Sequence, residues 1–276
     1  MRHSVLAGPE PGTRHPATRH LISSAGQGPF LASPASVAPM CGRYSIAAPG
    51  QAILSALQAD GAADGFDWSP VYSVSPRTHA PIVRYRLVDD VRVREAELST
   101  WGLHPSWAKD SGPRPINARL ETVATNGMFR SAFSSARALV PMTGYYEWQE
   151  VVEGGKKVKN PSYINAPGDE LLAAAGLIAA RQDDDGTWST TFTIITRTGE
   201  DAAGEVHHRM PVFLSPAAWD TWLAPGKVDD KDAQLDVLDA ESKSAAGTLR
   251  TRRVSRAVNN NRTLDRTDQG LIAPLT

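Results

Sequence analysis

Paired runs of alternating apolar and polar residues constrain the fold of this 276-residue chain more than any other feature of its sequence. Two such pairs span residues 81–98 and 145–164, and a third pair at 171–196 joins an apolar run to a run rich in threonine, phenylalanine and isoleucine. The first is centred on Asp89-Asp90 and the second on Gly154-Gly155, which are turn signals. Alternation with a period of two places apolar side chains on one face of a strand, so the sequence predicts three consecutive β-hairpins.

Shorter segments complete the predicted fold. Further strands are predicted at residues 44–47, 139–142 and 252–258. Helical spacing predicts helices at residues 51–59, at 117–136 as two short helices that meet at Asn126-Gly127, and at 216–223 and 233–238. The sum is an α+β fold, which we expect to be a single β-rich domain with a twisted antiparallel sheet or barrel-like core and short flanking helices.

Residues 1–39 differ in composition from the rest of the chain. They are rich in proline, serine, alanine and histidine and show no apolar periodicity, so we expect a disordered leader, either the product of a mis-assigned start or a segment that is removed. Residues 40–276 form the predicted domain. No apolar run approaches the roughly 20 residues of a membrane span, and the leader lacks the apolar segment of a secretory signal. We therefore expect a soluble, cytoplasmic protein without a membrane partner.

The chain contains a single cysteine, Cys41, directly after an internal methionine. One cysteine excludes an internal disulfide, and on frequency alone a lone cysteine is more often a small core residue than a nucleophile. If translation begins at Met40, or if the leader is removed, loss of Met40 leaves Cys41 as the first residue. Cys41 then carries an α-amine and a thiol on adjacent carbons.

The formal net charge of −1 argues against a nucleic-acid-binding protein, since such domains usually carry an excess of basic residues. The acidic residues are concentrated, however, at 183–185 and 229–232. A local basic face elsewhere is therefore compatible with the composition.

Two clusters combine large or polar side chains with turn residues. Trp101 and Trp107 flank a glycine and a proline, and they either stack on bases or cover the core, the second being the more frequent role. Asn117 and Arg119 are predicted at the start of a helix. There the amide suits an N-cap as well as the orientation of a substrate oxygen, and the guanidinium suits a phosphate.

Two further clusters carry groups that titrate. Glu147 lies between aromatic residues in a predicted strand, where burial would raise its pKa, although a solvent-facing glutamate fits the same pattern. His207 and His208 precede Arg209, and one of the two histidines is expected to be incidental. One cysteine and two adjacent histidines do not form a zinc ligand set, so we expect neither a metal nor another cofactor.

Five separated motifs occur in this order: Met-Cys-Gly-Arg-Tyr at 40–44, Trp-Gly-Leu-x-Pro-Ser-Trp-Ala-Lys-Asp at 101–110, Asn-Ala-Arg-x-Glu-Thr at 117–122, Gly-Tyr-Tyr-Glu-Trp at 144–148 and His-x-Arg-Met-Pro at 207–211. Together they resemble the SOS-response-associated peptidase (SRAP) family of abasic-site processing proteins. Residues 254–260 resemble the closing strand and loop of the family. The resemblance runs from residue 40 to about 262 and excludes the leader.

The resemblance implies an enzyme that binds single-stranded DNA containing abasic sites and shields them through a covalent thiazolidine cross-link to an amino-terminal cysteine. We expect it to act as a monomer. It further implies catalytic roles for Cys41, Asn117, Glu147 and His207. Contacts with DNA are implied for Arg43, Pro76, Trp101, Arg119, Trp148 and Arg209.

Two positions depart from the family pattern. Ser73 replaces a family asparagine before the first hairpin, which removes a side-chain amide, and His208 replaces a family aspartate beside His207.

Two other functions fit the sequence. One is an amino-terminal-nucleophile thiol peptidase or amidase, and the other is a noncatalytic single-stranded-DNA-binding module. Self-removal of the leader is a further hypothesis.

Overall fold

The computed structural model describes residues 41–183 and 185–275, so the predicted leader at 1–39 lies outside the described residues. The strands are β1 Tyr44–Ile46, β2 Gly61–Ala62, β3 Val71–Val74, β4 His79–Val88, β5 Val91–Trp101, β6 Asn117–Arg119, β7 Arg137–Met142, β8 Gly144–Glu153, β9 Lys156–Asn165, β10 Leu172–Gln182, β11 Trp188–Thr198, β12 Arg209–Pro211 and β13 Arg250–Arg253. The helices are α1 Gly50–Ala56, α2 Arg130–Ser135, α3 Asp201–Gly204, α4 Pro216–Leu223 and α5 Lys231–Ala246. Short 3-10 turns occupy Pro167–Asp169, Arg256–Asn259 and Gln269–Ile272.

Five strands close into a barrel. Antiparallel pairing joins β5 to β4, β4 to β7, β7 to β10 and β10 to β11, and a parallel pairing of β11 with β5 completes the ring. Only Thr191 and Phe192 of β11 pair with β5, so the rest of that side of β11 stays open to another strand. The predicted β-rich α+β fold with a barrel-like antiparallel core is therefore confirmed, and all three predicted hairpins are present.

A second sheet of five antiparallel strands, in the order β13-β9-β8-β1-β3, lies beside the barrel. Its two faces are buried by different parts of the chain. Tyr44 and Tyr145 on one face belong to the main apolar core, whereas Tyr146 and Tyr163 on the other pack with Val254 and further residues of the C-terminal segment. Strand β8 is consequently covered on both faces near its start.

The segment 117–136 differs from the two predicted helices. Residues 117–119 form β6 in parallel register with β11, from Ile194↔Asn117 to Thr196↔Arg119. Helical spacing misleads here because β11 offers an open edge, whose backbone pairing fixes these residues as a strand. Only the last part, α2, is an α-helix. Likewise the predicted final strand at 252–258 is strand only to Arg253, and a 3-10 turn follows.

Arg137 at the start of β7 organises the ends of two helices. Its guanidinium donates to the carbonyl oxygens of Phe133 at 3.1 Å and Ser134 at 2.5 Å in α2, and to Trp222 at 2.6 Å in α4. It also donates to Ala224 O, just after α4. The last carbonyls of a helix have no partner within the helix, so one buried side chain satisfies two helix C-termini.

Helix α5 is the longest helix in the described part of the chain, and it is largely polar on its surface. Across residues 41–183 and 185–275, no helix has the length and apolar content that crossing a bilayer requires.

Candidate active site

Glu147 is the central buried carboxylate of the site. Strand alternation puts it on the same face of β8 as Tyr145, the face that packs against the main core, and the side chain of Glu147 is only 2% exposed. Burial disfavours the charged form and raises the pKa of Glu147 to about 7, while hydrogen bonds from Cys41 act in the opposite direction. A carboxyl group with this pKa exchanges protons readily near neutral pH.

Cys41 reaches Glu147 because β1 and β8 run antiparallel. The register Tyr44↔Tyr145 and a hydrogen bond from Tyr146 N–H to Arg43 O at 2.9 Å carry the residues before β1 alongside β8. The backbone N–H of Cys41 donates to Glu147 Oε1 at 2.8 Å. Cys41 has a φ of 39°, in the left-handed region that costs energy for residues other than glycine.

The thiol of Cys41 is buried against the other wall of the site. Its Sγ lies 3.9 Å from the carbonyl oxygen of Arg209. Burial and the nearby Glu147 carboxylate raise the pKa of the thiol well above its usual value. The group is therefore held as a neutral thiol until a reaction partner accepts its proton.

His207 approaches the same carboxylate from the segment before β12. Its Nδ1 lies 3.7 Å from Glu147 Oε1 and 3.2 Å from the backbone N–H of Arg209. Burial and the neighbouring His208, whose ring centre is 4.3 Å away, lower the pKa of His207. Near neutral pH the His207 ring is therefore uncharged and able to exchange hydrogen bonds with a substrate hydroxyl.

Arg209 is held by a clamp of protein groups. Its guanidinium donates to both carboxylate oxygens of Glu121, at 2.5 and 3.0 Å, and to the carbonyl oxygen of Thr196 at 2.5 Å. Arg209 is only 6% exposed, and these protein groups occupy its guanidinium. Its backbone instead contacts His207 Nδ1 and Cys41 Sγ. Sequence reasoning missed Glu121, although this residue is part of the motif at 117–122.

Of these groups, Glu147 and His207 border a cavity of about 240 Å³, whose full lining is Gly42, Arg43, Glu147, Trp148, Lys159, His207 and Asn259. Arg43 donates to Ser73 Oγ at 3.1 Å and to Val258 O at 3.0 Å, and its guanidinium lies 5.8 Å from the centre of the Trp148 ring. Lys159 and Asn259 were missed, because a lysine in an alternating strand and an asparagine in a loop give no distinctive signal.

The indole of Trp148 is fixed at the mouth of this cavity. Its Nε1–H donates to Asn259 Oδ1 at 2.6 Å, and Asn259 Nδ2 donates to the carbonyl oxygen of Lys159 at 2.9 Å. The C-terminal segment thus forms one wall of the cavity.

Among the described residues, no three histidine, cysteine, aspartate or glutamate side chains are close enough together to hold a metal ion.

Comparison with protein families accounts for this arrangement. A family model described as SOS response associated peptidase (SRAP) matches residues 40–261. The chain belongs to the SRAP family. The match begins at Met40, next to the cysteine of the site, and it includes the cavity and the C-terminal wall.

Members of the SRAP family with similar sequences carry a common description. Abasic site processing protein YedK of Escherichia coli strain K12 is 31% identical over 225 residues, which cover 80% of this chain and 95% of the relative. Abasic site processing protein YoqW of Bacillus subtilis strain 168 is 30% identical over 210 residues, or 75% of this chain and 91% of the relative. A crystal structure of a Bacteroides thetaiotaomicron protein has a TM-score of 0.66 at 23% identity, covers 86% of this chain and 100% of that chain, and shows the shared fold alone.

The remaining residues implied by the SRAP motifs lie in different settings. Trp101 is fully buried, stacks with Phe192 and donates from Nε1 to Ile116 O at 2.9 Å, so it belongs to the core and cannot stack on a base. Asn117 begins β6, half-buried, and is not a helix N-cap. Arg119 is exposed and Pro76 is half-buried at the surface.

Proposed function

We propose that this chain processes abasic sites in single-stranded DNA by forming a thiazolidine cross-link through Cys41. The observation that carries the proposal is the position of the Cys41 nitrogen, 2.8 Å from a buried carboxylate whose pKa is about 7. Membership of the SRAP family, and relatives named abasic site processing proteins, support the same substrate.

The reaction requires Cys41 to be the first residue, because an amide nitrogen cannot form an imine. Once the Met40–Cys41 bond is absent, the nitrogen beside Glu147 is a primary amine, with an ordinary pKa of about 7.7–8.0. Glu147 accepts the ammonium proton, and the neutral amine attacks the aldehyde carbon of the ring-opened abasic sugar. Glu147 returns the proton to the hydroxyl group of the resulting carbinolamine, water leaves, and a protonated imine forms.

The thiol completes the ring. Sγ of Cys41 adds to the carbon of the protonated imine, the thiol proton passes to the Glu147 carboxylate, and the product is a five-membered thiazolidine with a neutral ring nitrogen. The whole sequence releases one water molecule and needs no oxidant or cofactor. Cysteine alone among the standard residues supplies both groups on adjacent carbons.

The other residues of the site have supporting roles in this proposal. His207, uncharged near neutral pH, exchanges hydrogen bonds with a sugar hydroxyl, and Asn117 orients the sugar or the amine. Arg43 and Lys159 line the cavity and provide positive charge for the flanking phosphates, Arg119 provides it at the surface, and Trp148 offers an indole for stacking. Pro76 acts as a wedge against the strand.

Cys41 and Glu147 also suit a reaction that removes the leader. In self-removal, Sγ of Cys41 attacks the carbonyl carbon of Met40, Glu147 donates a proton to the leaving nitrogen of Cys41, and water hydrolyses the thioester. A Glu147→Gln variant that still loses residues 1–40 would exclude this route. Translation from Met40 followed by loss of the methionine gives the same amino terminus.

The test compares three proteins with an oligonucleotide that carries one abasic site: the Cys41-first protein, its Cys41→Ser variant and the full chain. Intact mass establishes each amino terminus before the reaction. We expect a heat-stable adduct from the Cys41-first protein alone, with the summed mass of protein and DNA less one water. The serine variant should give an adduct only after borohydride reduction.

Absence of the adduct from the Cys41-first protein would refute the proposal. Equal adduct from a full chain that keeps its leader would also refute it. Ammonia release from glutamine would favour the amidase alternative, and unchanged DNA protection in a Cys41→Ala variant would favour a noncatalytic binding module.

A further inference from the structure

Two arginines from different loops approach Gly102, just after the end of β5. Arg77 follows β3 and Arg114 precedes β6. Gly102 has a φ of 132°, and a Cβ at this position would lie 3.5 Å from Arg77 Cδ and 3.5 Å from Arg114 Cβ. The absence of a side chain at Gly102 therefore leaves room for both arginines to approach it.

The pair has no acidic partner. In the part of the chain that the structure describes, no carboxylate lies within salt-bridge distance of either guanidinium. Arg77 is exposed and Arg114 is half-buried, whereas the half-buried Arg84, Arg181 and Arg252 are all paired. Burial and the charge of Arg114 both lower the pKa of Arg77. Two like charges placed together repel, and an anion between them would remove the repulsion.

The backbone of Arg77 also adopts an energetically unfavourable conformation. Its φ of 69° lies in the left-handed region, and its backbone N–H donates to the carbonyl oxygen of Trp101 at 2.9 Å. Backbone strain of this kind persists when the surrounding structure fixes it, and it is frequent at binding sites.

Arg114 continues into a polar cavity of about 240 Å³ that is separate from the catalytic one. Thr100, Ser189 and Thr191 contribute hydroxyl groups to its lining. Of the charged groups that line this cavity, Arg181 is paired with Asp110 at 2.7 Å, and the other two are Arg114 and Asp183. Hydroxyl and guanidinium donors of this kind suit a phosphate group.

The pair also lies on a direct route from the catalytic cavity. Ser73 in β3 accepts a hydrogen bond from Arg43 in the wall of that cavity, and Arg77 is four residues further along the chain. Four residues span at most about 14 Å. A DNA strand that leaves the cavity past Pro76 would therefore reach the pair within a few nucleotides.

We propose that Arg77 and Arg114 together bind a backbone phosphate of single-stranded DNA a few nucleotides from the abasic site. The inference rests on the proposed function, since it takes the DNA of that reaction as the ligand. The site positions the strand and contributes affinity that does not depend on base sequence. It takes no part in the chemistry at Cys41.

The experiment measures binding of an undamaged single-stranded oligonucleotide to the full chain by fluorescence anisotropy at several salt concentrations. We expect Arg77→Gln/Arg114→Gln to weaken binding on the order of tenfold at low salt. The slope of log K against log salt should become shallower by about 0.7, the contribution of one phosphate of a single strand.

The matched control is Arg86→Gln/Arg92→Gln, which removes the same charge from the tip of the β4–β5 hairpin. Arg92 is nine residues before Trp101 in β5, roughly 30 Å along the strand. The control should keep the wild-type slope. An equal loss in both double variants, or an unchanged slope in Arg77→Gln/Arg114→Gln, would overturn the inference.

Two further measurements identify the ligand and separate this inference from the proposed function. Calorimetry with inorganic phosphate tests a free anion, and phosphate binding lost in Arg77→Gln/Arg114→Gln without a change in the DNA slope would overturn the assignment to DNA. At saturating abasic DNA the double variant should still form the covalent adduct. Failure of the wild type to cross-link would refute the proposed function while leaving the salt-slope result to decide this site.

Discussion

Glu147 should lower the stability of the folded protein as pH rises, and Glu147→Gln should remove that effect. The carboxyl group is 2% exposed and its pKa rises from 4.5 to about 7 on folding. Below pH 4.5 the group is protonated in both states and costs nothing. Between pH 4.5 and 7 the unfolded chain releases the proton while the folded chain retains it, so folding becomes less favourable.

The size of this penalty follows from the shift. At about 1.36 kcal/mol per pKa unit, the difference between the two states approaches about 3 kcal/mol above pH 7. Glutamine has nearly the same shape, still accepts the N–H of Cys41 and remains neutral at every pH. The free energy of unfolding of Glu147→Gln should therefore equal that of the wild type near pH 4.5 and exceed it by about 3 kcal/mol at pH 8.

Urea denaturation of the full chain between pH 5 and 8 measures the difference, and comparison of variant with wild type cancels the other titrating groups. Glu150→Gln, an exposed position on the same strand, is the control and should give a constant difference. A constant difference for Glu147→Gln as well, or a variant less stable than the wild type at pH 8, would refute the reasoning. In the Cys41-first protein the penalty should shrink, because an ammonium group would lie beside the carboxylate.

Two other variants test the supports of the site and of the fold. Glu121→Gln weakens the hydrogen bonds that hold the Arg209 guanidinium, and the backbone of Arg209 contacts the Cys41 thiol and the His207 imidazole. Cross-linking at saturating DNA should therefore slow on the order of tenfold. Affinity for undamaged DNA should be retained. Rapid-quench kinetics checks this, and a loss of affinity without a change in rate would show that Arg209 acts on DNA instead. Arg137→Met leaves the buried carbonyls of two helix ends without a donor and should cost about 3–5 kcal/mol in urea denaturation, against under 1 kcal/mol for the exposed Arg130→Met.

The burial that makes Glu147 useful for proton exchange is also the source of its cost in stability. A carboxylate at the surface would keep a pKa near its ordinary value and would hold its proton poorly near neutral pH. The left-handed φ of Cys41 adds a second local cost at the same place. Both are tolerated because the barrel and the second sheet, packed on a common core, fix the surrounding backbone.

Local pattern in the sequence determined the three hairpins, the barrel-like antiparallel core and the order of the family motifs. Alternation reports which face of a strand a residue occupies, and it placed Glu147 opposite Tyr146 and Trp148. It could not report whether that face is buried, because β8 is covered by the main core on one side and by the C-terminal segment on the other.

Only the tertiary structure decided which residues meet. Cys41 and Glu147 are 106 residues apart in the chain, and Arg209 and Glu121 are 88 apart. The open edge of β11 made a strand of residues 117–119, where local spacing indicated a helix. The sequence motifs implied DNA contacts for Trp101 and Arg209. Long-range packing instead buries Trp101 in the core and pairs Arg209 with Glu121 beside the active site. Periodicity records neighbours along the chain, whereas burial and ion pairing depend on partners that folding brings together.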